Sequence, residues 1–171
     1  RAAGRARDLF EQTMDNQLVK MDAAVLVHLY EGSDGADALA YLTQLVETND
    51  LQTQLEAAQR LYLAGEEFPD QILSSGLSSG NRKVRIMAIE LAGLSGYQEG
   101  SPMLMQALND RSEELSAPAA IALARLGNRE IIPRLSNMLT EPSEGKGKAA
   151  VEALSQLGGP DIIEQMRMML P

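Results

Sequence analysis

The feature that most constrains this chain is a phase that returns every 31 residues. Leu63, Leu94, Leu126 and Leu157 are spaced 31, 32 and 31 apart, and Leu73, Leu104, Leu135 and Met166 fall 31 apart. Val46, Leu77, Leu108, Leu139 and Leu170 repeat the interval, and a glycine column (Gly65, Gly96, Gly127, Gly158) runs between the leucine columns. One column of leucine arises by chance in a leucine-rich chain. Three columns in phase with a glycine column do not, so the chain is an array of one supersecondary unit.

Each unit reads as two helices. In the best-formed one, Ala119–Leu126 is an Ala-rich first helix that ends at Gly127-Asn128, residues that tolerate the left-handed conformation past a helix end. A second helix near Glu130–Leu139 places Ile132, Leu135, Met138 and Leu139 on one stripe. Equivalent pairs are expected at 18–30 with 38–46, 51–63 with 69–77, 84–94 with 102–108, and 149–157 followed by a helix opened by Pro160. Before them, Asp8–Met14 reads as the second helix of a repeat whose first helix is absent, so the chain is expected to start inside a repeat. Ala58, Ala88 and Ala120 sit where small side chains let neighbouring helices approach closely. A single pair cannot bury its own apolar stripe, so stacking of pairs must supply the core. The expected fold is all-α: one superhelical solenoid of about five antiparallel pairs over 1–171. It comprises a partial repeat at 1–16 and repeats at 17–48, 49–79, 80–110, 111–142 and 143–171.

Composition narrows the function classes. Leu, Ala and Met make up about a third of the chain and aromatics only 4%, which suits aliphatic helix packing and not a β-sandwich. No Cys excludes a disulfide framework, a thiolate metal site and a cysteine nucleophile, and a lone His28 excludes any chemistry needing two imidazoles. A net charge of −9 repels polyphosphate, so no nucleic-acid partner is expected. No segment has the roughly 18 uninterrupted apolar residues of a membrane span. The opening RAAGRARDLF has no apolar segment of signal-peptide type and reads as a mature form or a piece of a longer chain. Lack of Cys is compatible with cytoplasm and with an envelope compartment.

The fragments VRIMAIELAGL (84–94), APAAIALARLGNREIIPRLSNML (117–139) and GKAAVEALSQLGGPDIIEQMRMML (147–170) resemble HEAT-like repeats of the phycobilin-lyase type. The resemblance rests on Val-Arg, an Ala-rich first helix, Leu-Gly, then an Ile/Leu second helix. It covers 51–171 well and 17–50 weakly. Val-Arg survives only at Val84-Arg85, with Lys148 at the equivalent place in the last unit, and Asn128 or Gly159 replaces the Asp common after Leu-Gly. Such a resemblance specifies fold far more than function. HEAT-repeat enzymes similar to deoxyhypusine hydroxylases need several His-Glu pairs, and none exists here. Those similar to HEAT-repeat DNA glycosylases need a basic face, which −9 does not supply.

Individual polar residues read as structural. His28, inside AAVLVHLYE, is expected to be a packed or partly exposed side chain. Acids gather at the turns within pairs (Glu31, Asp34, Asp37; Glu66, Glu67, Asp70; Glu99; Glu130; Asp161), near the start of each second helix, where the helix dipole stabilises them by about 0.3–1 kcal/mol. Asp34-Gly35-Ala36-Asp37 lacks the ligand series of a calcium loop. Besides Arg1, Arg5 and Arg7, the dense basic patch is Arg82, Lys83 and Arg85, read as a solvated helix start with Arg85 able to pair with nearby acids. Glu144-Gly145-Lys146-Gly147-Lys148 lacks phosphate-loop spacing and reads as a linker into the last pair.

The more informative surface is the outer stripe of the second helices. Stepping by 31 gives Gln44, Ser75, Gln106, Asn137 and Met168, and beside them Thr43, Ser74, Met105, Ser136 and Arg167. These ten positions hold one charge in a chain that is 23% charged. In folds this one resembles, second helices line the concave side, so the stripe is the expected partner-binding face, suited to an extended peptide or a helix. No catalytic residue, metal site or cofactor is expected. The reading is a non-enzymatic scaffold or adaptor with a protein partner. The resemblance also leaves open a bilin-lyase-like accessory subunit, for which Tyr30, Tyr41, Tyr62 and Tyr97 are the available tyrosines; a structural spacer in a larger assembly is the third reading. The last helix, with Ile162, Ile163, Met166, Met168, Met169 and Leu170, has no polar cap, so this end is expected to be covered by further repeats, a second copy or a partner.

Overall fold

The computed structural model describes residues 2–13, 15–160, 162, 163 and 167. Among them the chain is helical throughout, with turns and no strand, and successive helices pack as the pairs of a HEAT-like α-solenoid. Contacts gather it into two compact units, Arg1–Gly76 and Leu77–Pro171.

The first unit holds α1 (Ala2–Gln12), α2 (Gln17–Glu31), α3 (Ala36–Val46), α4 (Leu51–Ala64) and α5 (Gln71–Leu77), whose last residue belongs to the second unit. Its helices begin where short polar side chains replace missing backbone acceptors. The Asn16 carboxamide accepts from Val19 N–H at 3.2 Å, and the Asp50 carboxylate from Thr53 N–H at 3.0 Å. α2 packs on α1, α3 and α4, burying Phe10, Met21, Val27, Leu42, Leu55 and Leu61. Phe10 meets Tyr41 edge to face at 5.7 Å between ring centroids, and Lys20 Nζ lies 5.2 and 4.9 Å from those two centroids. α1 begins earlier than the expected Asp8; Met14 lies outside the described residues.

The second unit holds α6 (Arg82–Ser95), α7 (Ser101–Leu108), α8 (Glu113–Arg125), α9 (Ile132–Thr140) and α10 (Glu144–Leu157). Single 3-10 turns at Gln98–Gly100 and Arg129–Ile131 lead into α7 and α9, as Gly32–Gly35 leads into α3. Pro102 and Pro133 occupy the first turns of α7 and α9, where no N–H is needed. α8 packs on α6, α7 and α10, and α9 on α10. The glycine column is a conformational column: Gly65, Gly96, Gly127 and Gly158 have φ of +81°, +78°, +73° and +55°, a region that disfavours any side chain. The alanine seam is likewise present, with Ala58, Ala88 and Ala120 fully buried.

Two expectations need correction. Residues 144–148 are not a linker but the first turn of α10. Ser143 caps it, its hydroxyl accepting from Lys146 N–H at 3.3 Å, and Lys146 is buried with Nζ 2.9 Å from Glu141. A Cβ at Gly145 would meet the Glu113 carboxylate, the outer end of an exposed side chain. The helix expected from Ala119 starts at Glu113 and carries Pro118 inside it; that proline hid the first turn.

Candidate functional site

The structure places the stripe residues on second helices within each unit. In the first, Thr43 and Gln44 are exposed on α3, and on α5 Ser75 is exposed and Ser74 half-buried. In the second, Gln106 on α7 and Asn137 on α9 are exposed while Met105 and Ser136 are half-buried; Arg167 is exposed, and Met168 lies outside the described residues. Gln44, Ser75, Gln106 and Asn137 are each exposed. Three hydroxyls of the companion row turn back onto their own helices. Thr43 Oγ1 donates to Leu39 O at 3.1 Å, Ser74 Oγ to Gln71 O at 3.0 Å, and Ser136 Oγ to Ile132 O at 3.1 Å. The exposed stripe positions thus offer the carboxamides of Gln44, Gln106 and Asn137 and the side chain of Ser75, with Arg167 as their one charge. On α3 it forms an open depression of about 380 Å³ lined by Ala36, Leu39, Ala40, Thr43, Gln44 and Glu47.

Three of the turn acids, Glu31, Asp37 and Glu66, have side-chain partners. Arg7 of α1 reaches across to the α2–α3 turn, where its guanidinium pairs with Glu31 and, at 2.6 Å, with Asp37, and donates to Asp34 O at 3.1 Å. Hydrogen bonding to Glu31 first, then to Asp37, raises the Arg7 pKa, and the Arg7 hydrogen bond lowers that of Asp37. Glu141 is held between Lys146 and Arg134, which lower its pKa in that order of effect. His28 is half-buried: Nε2 lies 3.3 Å from Glu66 Oε1, and Nδ1 is buried without a hydrogen-bond partner. Among the described residues Arg85 takes no acidic partner, and its Nε is buried unpaired.

Each tyrosine has its own setting. Tyr41 packs on Phe10, and burial raises its phenol pKa; Tyr30 and Tyr62 are exposed at the ends of α2 and α4; Tyr97 lies over Gly100 in the other unit. Among the described residues no three His, Asp or Glu side chains are grouped to hold a cation, and no helix is long and apolar enough to cross a membrane.

One surface escaped the sequence reading. The solvent side of α2 is apolar, with Leu18, Val19, Leu26, Leu29 and Tyr30 all exposed. The signal was available, because α2 carries apolar residues around most of its circumference. Periodicity alone does not say which of its sides is buried.

A family model for HEAT repeats matches residues 70–128 and again 101–171. No curated protein matches the chain. The matched span covers α6 to α10 together with their left-handed glycines at 96, 127 and 158, and it is more than half of the sequence. On the family match and on this helix-pair architecture, the chain belongs to the HEAT-repeat family.

Proposed function

We propose that this chain is a non-enzymatic interaction module whose second-helix stripe receives a partner peptide or helix. Its repeats are bounded at 17–48, 49–79, 80–110, 111–142 and 143–171. The observation that carries the reading is that Gln44 and Ser75 in the first unit, and Gln106 and Asn137 in the second, share one place in the 31-residue phase, are each exposed and bear no charge. A surface that only needs to be wet gains from Lys and Glu, whereas exposed carboxamides beside small side chains and Met105 match the hydrogen-bonding groups of a peptide. HEAT repeats commonly mediate protein–protein contact, which supports the same class of function.

The test is a pair of charges. Gln106→Glu combined with Asn137→Glu adds two carboxylates to exposed positions and leaves the core untouched. Proteins captured by the intact chain, identified by mass spectrometry, should be lost from this variant while its helical circular dichroism is retained. An unchanged capture profile overturns the reading.

A further inference from the structure

α2 presents to solvent what a helix normally buries. Of its seven exposed residues, five are Leu18, Val19, Leu26, Leu29 and Tyr30, at 44, 38, 42, 57 and 59% exposure; the others are Gln17 and Asp22. The exposed residues of α8, a first helix of the second unit, are Glu113, Glu114 and Arg125. On a helical wheel the α2 residues fall on one stripe about 120° wide, centred opposite Met21, Ala24 and Val27, which are fully buried. The neighbouring α4 adds Leu63, 61% exposed. The pair Arg60–Asp22 ties α2 to α4, and His28–Glu66 ties it to the turn that follows α4. Contiguous exposed apolar surface of this kind marks an interaction site.

Charge selects the occupant. Residues 1–76 contain 13 acidic and five basic residues, so this unit carries −8 of the chain's −9. Three of the five cations are engaged within the unit: Arg7 by Glu31 and Asp37, Arg60 by Asp22, and Lys20 over the Phe10 and Tyr41 rings. Asp22 interrupts the stripe, and the carbonyl end of α2 closes it with partial negative charge. A second copy of the chain would bring a like-charged surface, and an anionic lipid surface would be repelled in the same way. The stripe runs from residue 18 to 30, about 18 Å, the length of three helical turns.

We infer that the α2 face is a docking surface for a cationic amphipathic helix. Such a partner lays Leu- or Phe-type anchors over Leu26, Leu29 and Tyr30, and its Lys and Arg meet the net negative charge of this unit. This surface is distinct from the second-helix stripe and does not depend on it.

The test uses the full chain and a fluorescein-labelled synthetic 18-residue peptide with Leu on one helical stripe and Lys and Gln elsewhere. Two companions serve as controls, one with Glu for every Lys and one of the same composition scrambled to destroy the stripe. Fluorescence anisotropy should show saturable binding of the Lys peptide at least tenfold tighter than of either control. Leu26→Ser with Leu29→Ser leaves the chain's charge unchanged, and should weaken Lys-peptide binding at least tenfold. If the double variant loses helical circular dichroism, Tyr30→Ser and Leu29→Ser, each tested singly, supply the comparison. No saturable binding, equal binding of the Glu or scrambled peptide, or equal binding by the variants overturns the inference. A dimer in sedimentation that the double variant dissolves also overturns it, and assigns the face to a second copy.

Discussion

Gly93 on α6 lies so close to Ala122 on α8 that a Cβ at position 93 would sit 2.6 Å from the Ala122 Cα and 2.7 Å from its Cβ. The φ of Gly93 is not positive, so this glycine is required for space and not for conformation. It sets how closely the two first helices of the second unit approach. Ala119, Ala120 and Ala122 on the facing helix, all buried, serve the same purpose.

Gly93→Ala should therefore destabilise the protein by about 1–3 kcal/mol, the usual cost of forcing a packed backbone apart. The check is the urea midpoint of the variant against that of Gly147→Ala, a helical glycine of α10 with open space where its Cβ would go. Gly147→Ala should hold or raise stability, because alanine is the better helix former. Equal effects at the two sites would show that propensity alone governs both.

Arg7 should make the attachment of α1 sensitive to acid. Its guanidinium lowers the pKa of Asp37, so the ionised Asp37 favours the folded state. That contribution is present above the ordinary Asp pKa, about 3.9, and disappears as pH falls through the lower folded value. Arg7→Gln should reduce the melting temperature at neutral pH, and the gap to the parent protein should close as pH falls below about 4. Hydrogen exchange should also quicken in α1. A gap that stays constant down to pH 2 would locate the effect in packing and not in the ion pair.

The Glu141 clamp gives a paired comparison. Glu141→Gln leaves the buried Lys146 without its carboxylate partner and should cost about 1–3 kcal/mol, as for lost hydrogen bonds to charged groups. Lys146→Met removes the charge that needs a partner, keeps the packing of the side-chain stem, and should cost less than Glu141→Gln. Denaturant unfolding of both variants measures the difference, and a larger loss for Lys146→Met would refute this account.

Much of the fold was legible because the signals that set it are local. A left-handed glycine after each first helix, prolines in the first turns of α7 and α9, and apolar residues at helical spacing act within a few residues of one another. Asn128 shows how far this goes: it stands where Asp is usual, and its carboxamide still accepts from Glu130 N–H at 3.0 Å. The misreadings came where a local signal had a distant cause. Gly145 looks like a flexible residue, yet it lies in the first turn of α10, and Lys146 looks solvated, yet it is buried against Glu141. The neutral row Gln44, Ser75, Gln106 and Asn137 is legible as a sequence pattern because it follows the repeat phase, whereas the α2 face is not, because it does not.

By itself the sequence determined the 31-residue phase, the helix-pair unit and the turns that end its first helices, because each depends on backbone preferences and contacts over one helical turn. Tertiary structure alone decided which side of α2 is buried, which acids Arg7 reaches 24 and 30 residues away, and how closely α6 meets α8. An apolar residue on a helix favours leaving water but does not specify the neighbour that removes it from water. That choice is made only when other helices cover one side and leave the opposite side, here Leu26, Leu29 and Tyr30, in solvent.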